Sequence, residues 1–122
     1  MVCIHLYLDL RRVVGREKVE ILRERALMFL VAFHAEQVCQ LALKYVLASR
    51  AGYYPHTHSL RRLFEEVRAV KPELWSLYER HKFAFEVMED AYLGARYLPR
   101  RYSRDVAEHL VKVAEELVAL CT

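Results

Sequence analysis

The sequence predicts an all-α fold, an up-and-down bundle of four to five helices. Apolar residues recur at three- and four-residue spacing through most of the chain, and only three glycines and three prolines interrupt that pattern. These breakers also fall where helices end. At 122 residues the chain makes a single domain with room for one core.

Residues 1–15 form an atypical N-terminal segment. Val2, Ile4, Leu6, Leu8 and Leu10 alternate with Cys3, His5, Tyr7 and Asp9. That period suits either a strand paired across a dimer axis or the entry to a short helix. From Arg16 to Arg50 no breaker occurs. A helix of this length is a rod of about 50 Å, more than one small bundle covers, which implies either a kink or a second subunit. Its second half is apolar nearly all round, through Phe29, Leu30, Phe33, Val38, Leu41, Leu43, Val46 and Leu47, and so must be covered on several sides.

Gly52 then stands as a helix-ending glycine, with Pro55 shortly after. Thr57 or Ser59 is placed to cap a short helix from about Leu60 to Val70, which groups Leu60, Leu63, Phe64 and Val67. Pro72 opens the next segment with Glu73 in its first turn, and Gly94 is expected to close it. Trp75, Tyr78, Phe85, Met88 and Tyr92 form its stripe. Ser103 reads as the N-cap of a last helix, whose stripe is Val106, Leu110, Val113, Leu117 and Leu120.

Nineteen basic and sixteen acidic residues leave a net charge of +3, far from the dense basic stripe of a nucleic-acid binder recognisable by charge alone. Asparagine is absent, glutamine occurs only at 37 and 40, and arginine far outnumbers lysine, a composition suited to a protein that works hot. Cys3, Cys39 and Cys121 show no metal-ligand spacing, and an odd scattered set fits a reducing cytoplasm. The apolar run from Ala26 to Ala48 carries His34, Glu36, Gln37, Gln40 and Lys44, so a soluble chain is expected rather than a membrane span.

Four constellations could carry chemistry. His34, Gln37 and Lys44, flanked by Glu36 and Gln40, share an arc of the central helix. They make either a polar seam that meets a ligand or partner, or a hydrogen-bonded set that fixes helix register. His56 and His58 lie one residue apart without third or fourth ligands nearby, so no metal or other cofactor is expected. Arg96, Tyr97, Arg100, Arg101 and Tyr102 interleave guanidinium groups that suit phosphate with rings that suit bases; equally, arginine stacked on tyrosine would tie the loop down. Arg104 and His109 lie about 140° apart on an ideal helix, where local pairs Arg104–Glu108 and Asp105–His109 compete with a shared site. Phosphate loops and metalloprotease or hydrolase motifs are absent.

Three ordered stretches resemble the HEPN family. They are Ala32-Phe33-His34-Ala35-Glu36-Gln37 continuing to Leu41-Ala42-Leu43-Lys44, then Gly52 with Pro55 and Thr57-His58-Ser59-Leu60, then Ala95-Arg96-Tyr97 before Ser103. The similarity spans about residues 26 to 120. It departs from the family where a glycine-containing turn should separate the first two helices. Here Glu24-Arg25-Ala26 runs straight on, so the family's first helix is expected to be either shortened or fused with the second into the long central helix.

The resemblance implies a homodimer that binds a nucleotide or RNA within a toxin–antitoxin-like or nucleotidyltransferase-associated system, through Arg96, Tyr97, Arg100 and Arg101 supported by His58 and Lys44. One alternative it implies is a metal-independent endoribonuclease, with His109 as general acid or base and Arg104 on the phosphorane charge. Arg104-Asp105 to His109 matches the family's nuclease spacing, although the family's position for that motif falls at Arg96, which no histidine follows within six residues. A non-catalytic assembly adaptor is the other alternative.

Overall fold

The structure, a computed structural model, describes residues 16–97 and 102–122; the alternating segment 2–10 lies outside the described residues. Five helices are described: α1 Arg16–Ala51, α2 Leu60–Val67, α3 Pro72–Arg80, α4 Lys82–Tyr97 and α5 Arg104–Cys121. The fold is the all-α bundle expected. α1 is one unbroken helix of 36 residues, about 54 Å long, and α2, α4 and α5 all pack along it.

The ends of the helices follow local chemistry. Gly52 leaves α1 at φ 80°, where a side chain would be strained, and its N–H donates to the Ala48 carbonyl at 3.2 Å. Ser59 caps α2 by accepting from the Arg62 N–H, and Ser103 caps α5 by accepting from the Val106 N–H at 3.1 Å. Thr57 takes the other candidate position but accepts from the Ser59 N–H instead. Pro72 sits in the first turn of α3 as expected.

Two boundaries differ from the sequence reading. Gly94 lies within α4, which continues to Tyr97. The segment opened by Pro72 is also two helices, broken at His81, whose backbone leaves helical geometry at φ −120° and ψ 30°. No glycine or proline marks that break. In the core, Tyr78 and Phe85, on either side of it, both close on the Phe64 ring at 4.7 Å between centroids. The Tyr78 and Phe85 rings themselves stack at 5.8 Å.

One continuous core runs between α1 and the other four helices. Its largest members are Phe64, Phe85, Leu43, Leu47, Leu60 and Leu63, with Cys39 buried among them as a small apolar residue. The stripe of α5 is shifted from the expected one: Val106 is exposed, while Ala107, Ala114 and Cys121 are buried. At the far end the Lys71 ammonium donates to the Leu120 carbonyl, satisfying an orphan acceptor at the α5 C-terminus.

α1 divides lengthwise. Ala32, Ala35, Glu36, Cys39, Gln40, Leu43, Val46 and Leu47 face inward, at the spacing of a helix stripe. Leu27, Leu30, Val38, Leu41 and Tyr45 remain exposed, Leu41 to 68 %. By length and composition the stretch Arg23–Ala51 is apolar enough to cross a membrane, and one third of its most apolar window is buried by its neighbours.

Candidate functional site

A carboxylate is the largest anomaly in the core. Glu36 is fully buried on α1, and Gln40, one turn later, is 4 % exposed. Groups of this kind persist in a core only when hydrogen-bonded. Gln40 Nε2 donates to Glu36 Oε1, and Gln37 Nε2 donates to Oε2 at 3.0 Å. Burial pushes the Glu36 carboxyl up from 4.5 to about 7; the two amide bonds oppose that rise, the Glu89 charge adds to it and Lys44 lowers it.

The chain of bonds continues to the surface. The Gln40 amide oxygen, which can only accept, faces His58 Nδ1 at 3.3 Å, so Nδ1 carries the proton and Nε2 is the acceptor of the neutral ring. His58 comes from the α1–α2 loop and is an exposed residue. Its ring stacks on Tyr92 of α4 at 5.3 Å, and Tyr92 stacks on Phe33 at 6.1 Å and 5°. Next to it, Glu89 Oε1 accepts from the Arg61 N–H at 3.1 Å and from Ser59 Oγ at 3.4 Å. His58, Ser59, Glu89, Tyr92 and Leu93 line a cleft of about 180 Å³.

The seam read from the sequence is therefore split in two. Glu36, Gln37 and Gln40 form the bonded cluster, whereas His34 is exposed and lines an apolar groove between α1 and α5. That groove, about 530 Å³, is walled by Val31, Val38, Val111 and Val118. It is larger than the polar cleft but holds little besides Glu115 and His34 for chemistry, so it suits docking. Lys44 lies 5.8 Å over the Tyr54 ring, beside the cluster.

Of the expected arginine and tyrosine residues, Arg100 and Arg101 lie outside the described residues, as do the side chains of Arg96 and Tyr97, whose backbone ends α4. Tyr102 stacks on Phe29 at 6.2 Å. Arg104 reaches across to Glu24 of α1 at 3.2 Å, while His109 stands edge-on to His81 at 6.1 Å, and His81 Nε2 faces Glu116 at 3.2 Å. Arg104 and His109 thus turn to different partners, and neither of the expected local pairs supplies them. Among the described residues no cluster of three or more His, Cys, Asp or Glu could hold a metal.

Glu89 and the role of Tyr92 were missed in the sequence. Tyr92 was visible only as one more position in an apolar stripe. Glu89 lies on the same helix one turn earlier, and nothing local distinguishes it from other surface acids. Only the docking of the α2 cap onto α4 gives it a function.

Comparison with protein families matches the HEPN domain over residues 16–122. No curated protein and no solved structure matches the chain.

Proposed function

Because the chain belongs to the HEPN domain family, we propose that it is a dimeric nucleotide- or RNA-binding component of a cytoplasmic toxin–antitoxin-like or nucleotidyltransferase-associated system. One observation carries the binding part of this reading. A ladder of aromatic rings, Phe33, Tyr92 and His58, reaches the surface at a cleft backed by a hydrogen-bonded polar relay. Stacking platforms of this kind bind bases irrespective of sequence, each stacked base contributing about 1–3 kcal/mol. Arg96, one turn beyond Tyr92 on α4, and the arginines that follow it supply cations for phosphate. Free, buried Cys39 and Cys121 suit a reducing compartment. His58→Ala is expected to weaken binding of a fluorescent nucleotide or short RNA at least about tenfold, read by anisotropy. Unchanged affinity would remove the cleft from the reading.

The dimer rests on the outward face of α1. Leu27, Val31, His34, Val38, Leu41, Tyr45 and Ala48 recur at alternating four- and three-residue steps, the spacing of a coiled-coil seam. The series is nearly symmetric about Val38, so two antiparallel copies superpose their seams in an isologous contact. Leu41→Glu is expected to convert the dimer to monomer in sedimentation equilibrium while the helical circular dichroism is kept. A parent chain that is monomeric at micromolar concentration would rule the dimer out and favour an adaptor that offers this face to another protein.

A further inference from the structure

The chemistry around the cleft goes further than a general stacking site. We infer that it reads a guanine base, with Glu89 accepting from the base's donor edge; this rests on the nucleotide- or RNA-binding reading above. The side chains on the rim present acceptors. His58 lines the cleft, and because Gln40 holds Nδ1 as a donor, Nε2 is the acceptor of the neutral ring. Ser59 Oγ donates its proton to Glu89 and accepts from the Arg62 N–H, so any further bond it makes to a ligand is as an acceptor. Both of these bonds to Glu89 fall on Oε1, and Glu89 lines the cleft.

A cleft edged in this way selects for donors. Guanine carries an N1–H and an N2 amino group side by side on its Watson–Crick edge, and a carboxylate accepts both at once. Adenine and cytosine offer one amino group next to an acceptor nitrogen, which would face Glu89 lone pair to lone pair. Uracil offers one N–H between two carbonyl oxygens. Such a mismatch leaves a buried polar group unpaired, the strongest form of discrimination a site can have.

Shape agrees with chemistry. A volume of about 180 Å³ is below the usual range for a whole cofactor and has room for one planar ring system. Tyr92 and the 60 %-exposed Leu93 give that ring an apolar wall. Position is fixed from behind: the Arg61 N–H and Ser59 hydroxyl hold the Glu89 carboxylate, and the relay from Glu36 holds the imidazole. A preorganised acceptor set of this kind recognises a base with little ordering cost.

Free nucleotide and RNA present the same base, so the test has two arms. Calorimetric titration with GMP, IMP, AMP and UMP is expected to rank GMP at least about tenfold above AMP and UMP, with IMP between, since it lacks the N2 amino group. Hexauridylate and the same strand with one central guanosine form the second arm; a preference seen only there names RNA as the source. Glu89→Gln exchanges an acceptor for a donor and is expected to erase the preference. Leu93→Trp, at an exposed position, fills the cleft and is expected to weaken every ligand while the thermal melt stays unchanged. Equal affinity for guanine and the other bases in both arms would overturn this inference and leave nucleotide binding standing, as would a preference that survives Glu89→Gln in folded protein. Binding of none of these probes would overturn both.

Discussion

Glu36→Gln is expected to raise stability at about pH 8 by on the order of 2 kcal/mol, and to leave it nearly unchanged at about pH 4. The carboxyl titrates at 4.5 in an ordinary setting and at about 7 in the fold. Below 4.5 both folded and unfolded chains hold the proton, and burial of a neutral acid carries no charge penalty. As pH rises from 4.5, the unfolded chain ionises first and gains relative to the fold. The stability is lost progressively until the folded carboxyl ionises as well, near pH 7, and the penalty then stays constant. Glutamine keeps an acceptor for Gln40 but has no proton to lose. Urea unfolding of both proteins at a fixed concentration, across this range, measures the widening gap. Parallel curves at every pH would show that Glu36 titrates normally.

A larger loss is expected from Phe64→Ala, about 3–5 kcal/mol, with a fall in melting temperature of about 10–20 °C by calorimetry. Phe64 is fully buried and holds Tyr78 and Phe85 at 4.7 Å each. Removing the ring leaves a cavity where α2, α3 and α4 meet. It also removes the ring that Tyr78 and Phe85 share across the break at His81. The tightly packed helices around the site limit relaxation, so the cost falls in the upper part of the range for large-to-small changes. A loss below about 1 kcal/mol would mean that α3 and α4 straighten and close the space.

Much of the fold was legible in the sequence because its signals are local. Gly52, Ser59, Pro72 and Ser103 act on the backbone groups within a turn of themselves, and each does what its type predicts. The unbroken α1 was legible for the same reason, since nothing between Arg16 and Ala51 opposes a helix. The break at His81 was not legible, because no glycine or proline marks it and its flanking rings meet Phe64 only in the packed core. The site divides along the same line. Glu36 and Gln40 stood out as polar residues in an apolar helix, and His58 as part of a family-like stretch. Their connection through the Gln40 amide depends on how the loop lies over α1. Glu89 joins them only because the cap of α2 meets α4. Arg104 was read against its neighbours on α5, whereas its ion-pair partner lies 80 positions earlier.

The most extensive helix pairing in the molecule joins α1 to α5, the first and the last of the described helices. On the ribosome, α1 emerges before the helices that cover it, and its inward stripe of alanine, cysteine and leucine is not fully covered until residues near Cys121 have been made. At about 5–20 residues per second, that is several seconds in which a long sticky rod is exposed to every other nascent chain. The seam on its opposite face is exposed for the same time. Synthesis thus sets a race between closing the bundle within one chain and pairing with a neighbouring copy. An early encounter between two nascent α1 helices would shield one face of each while the C-terminal helix is still being made.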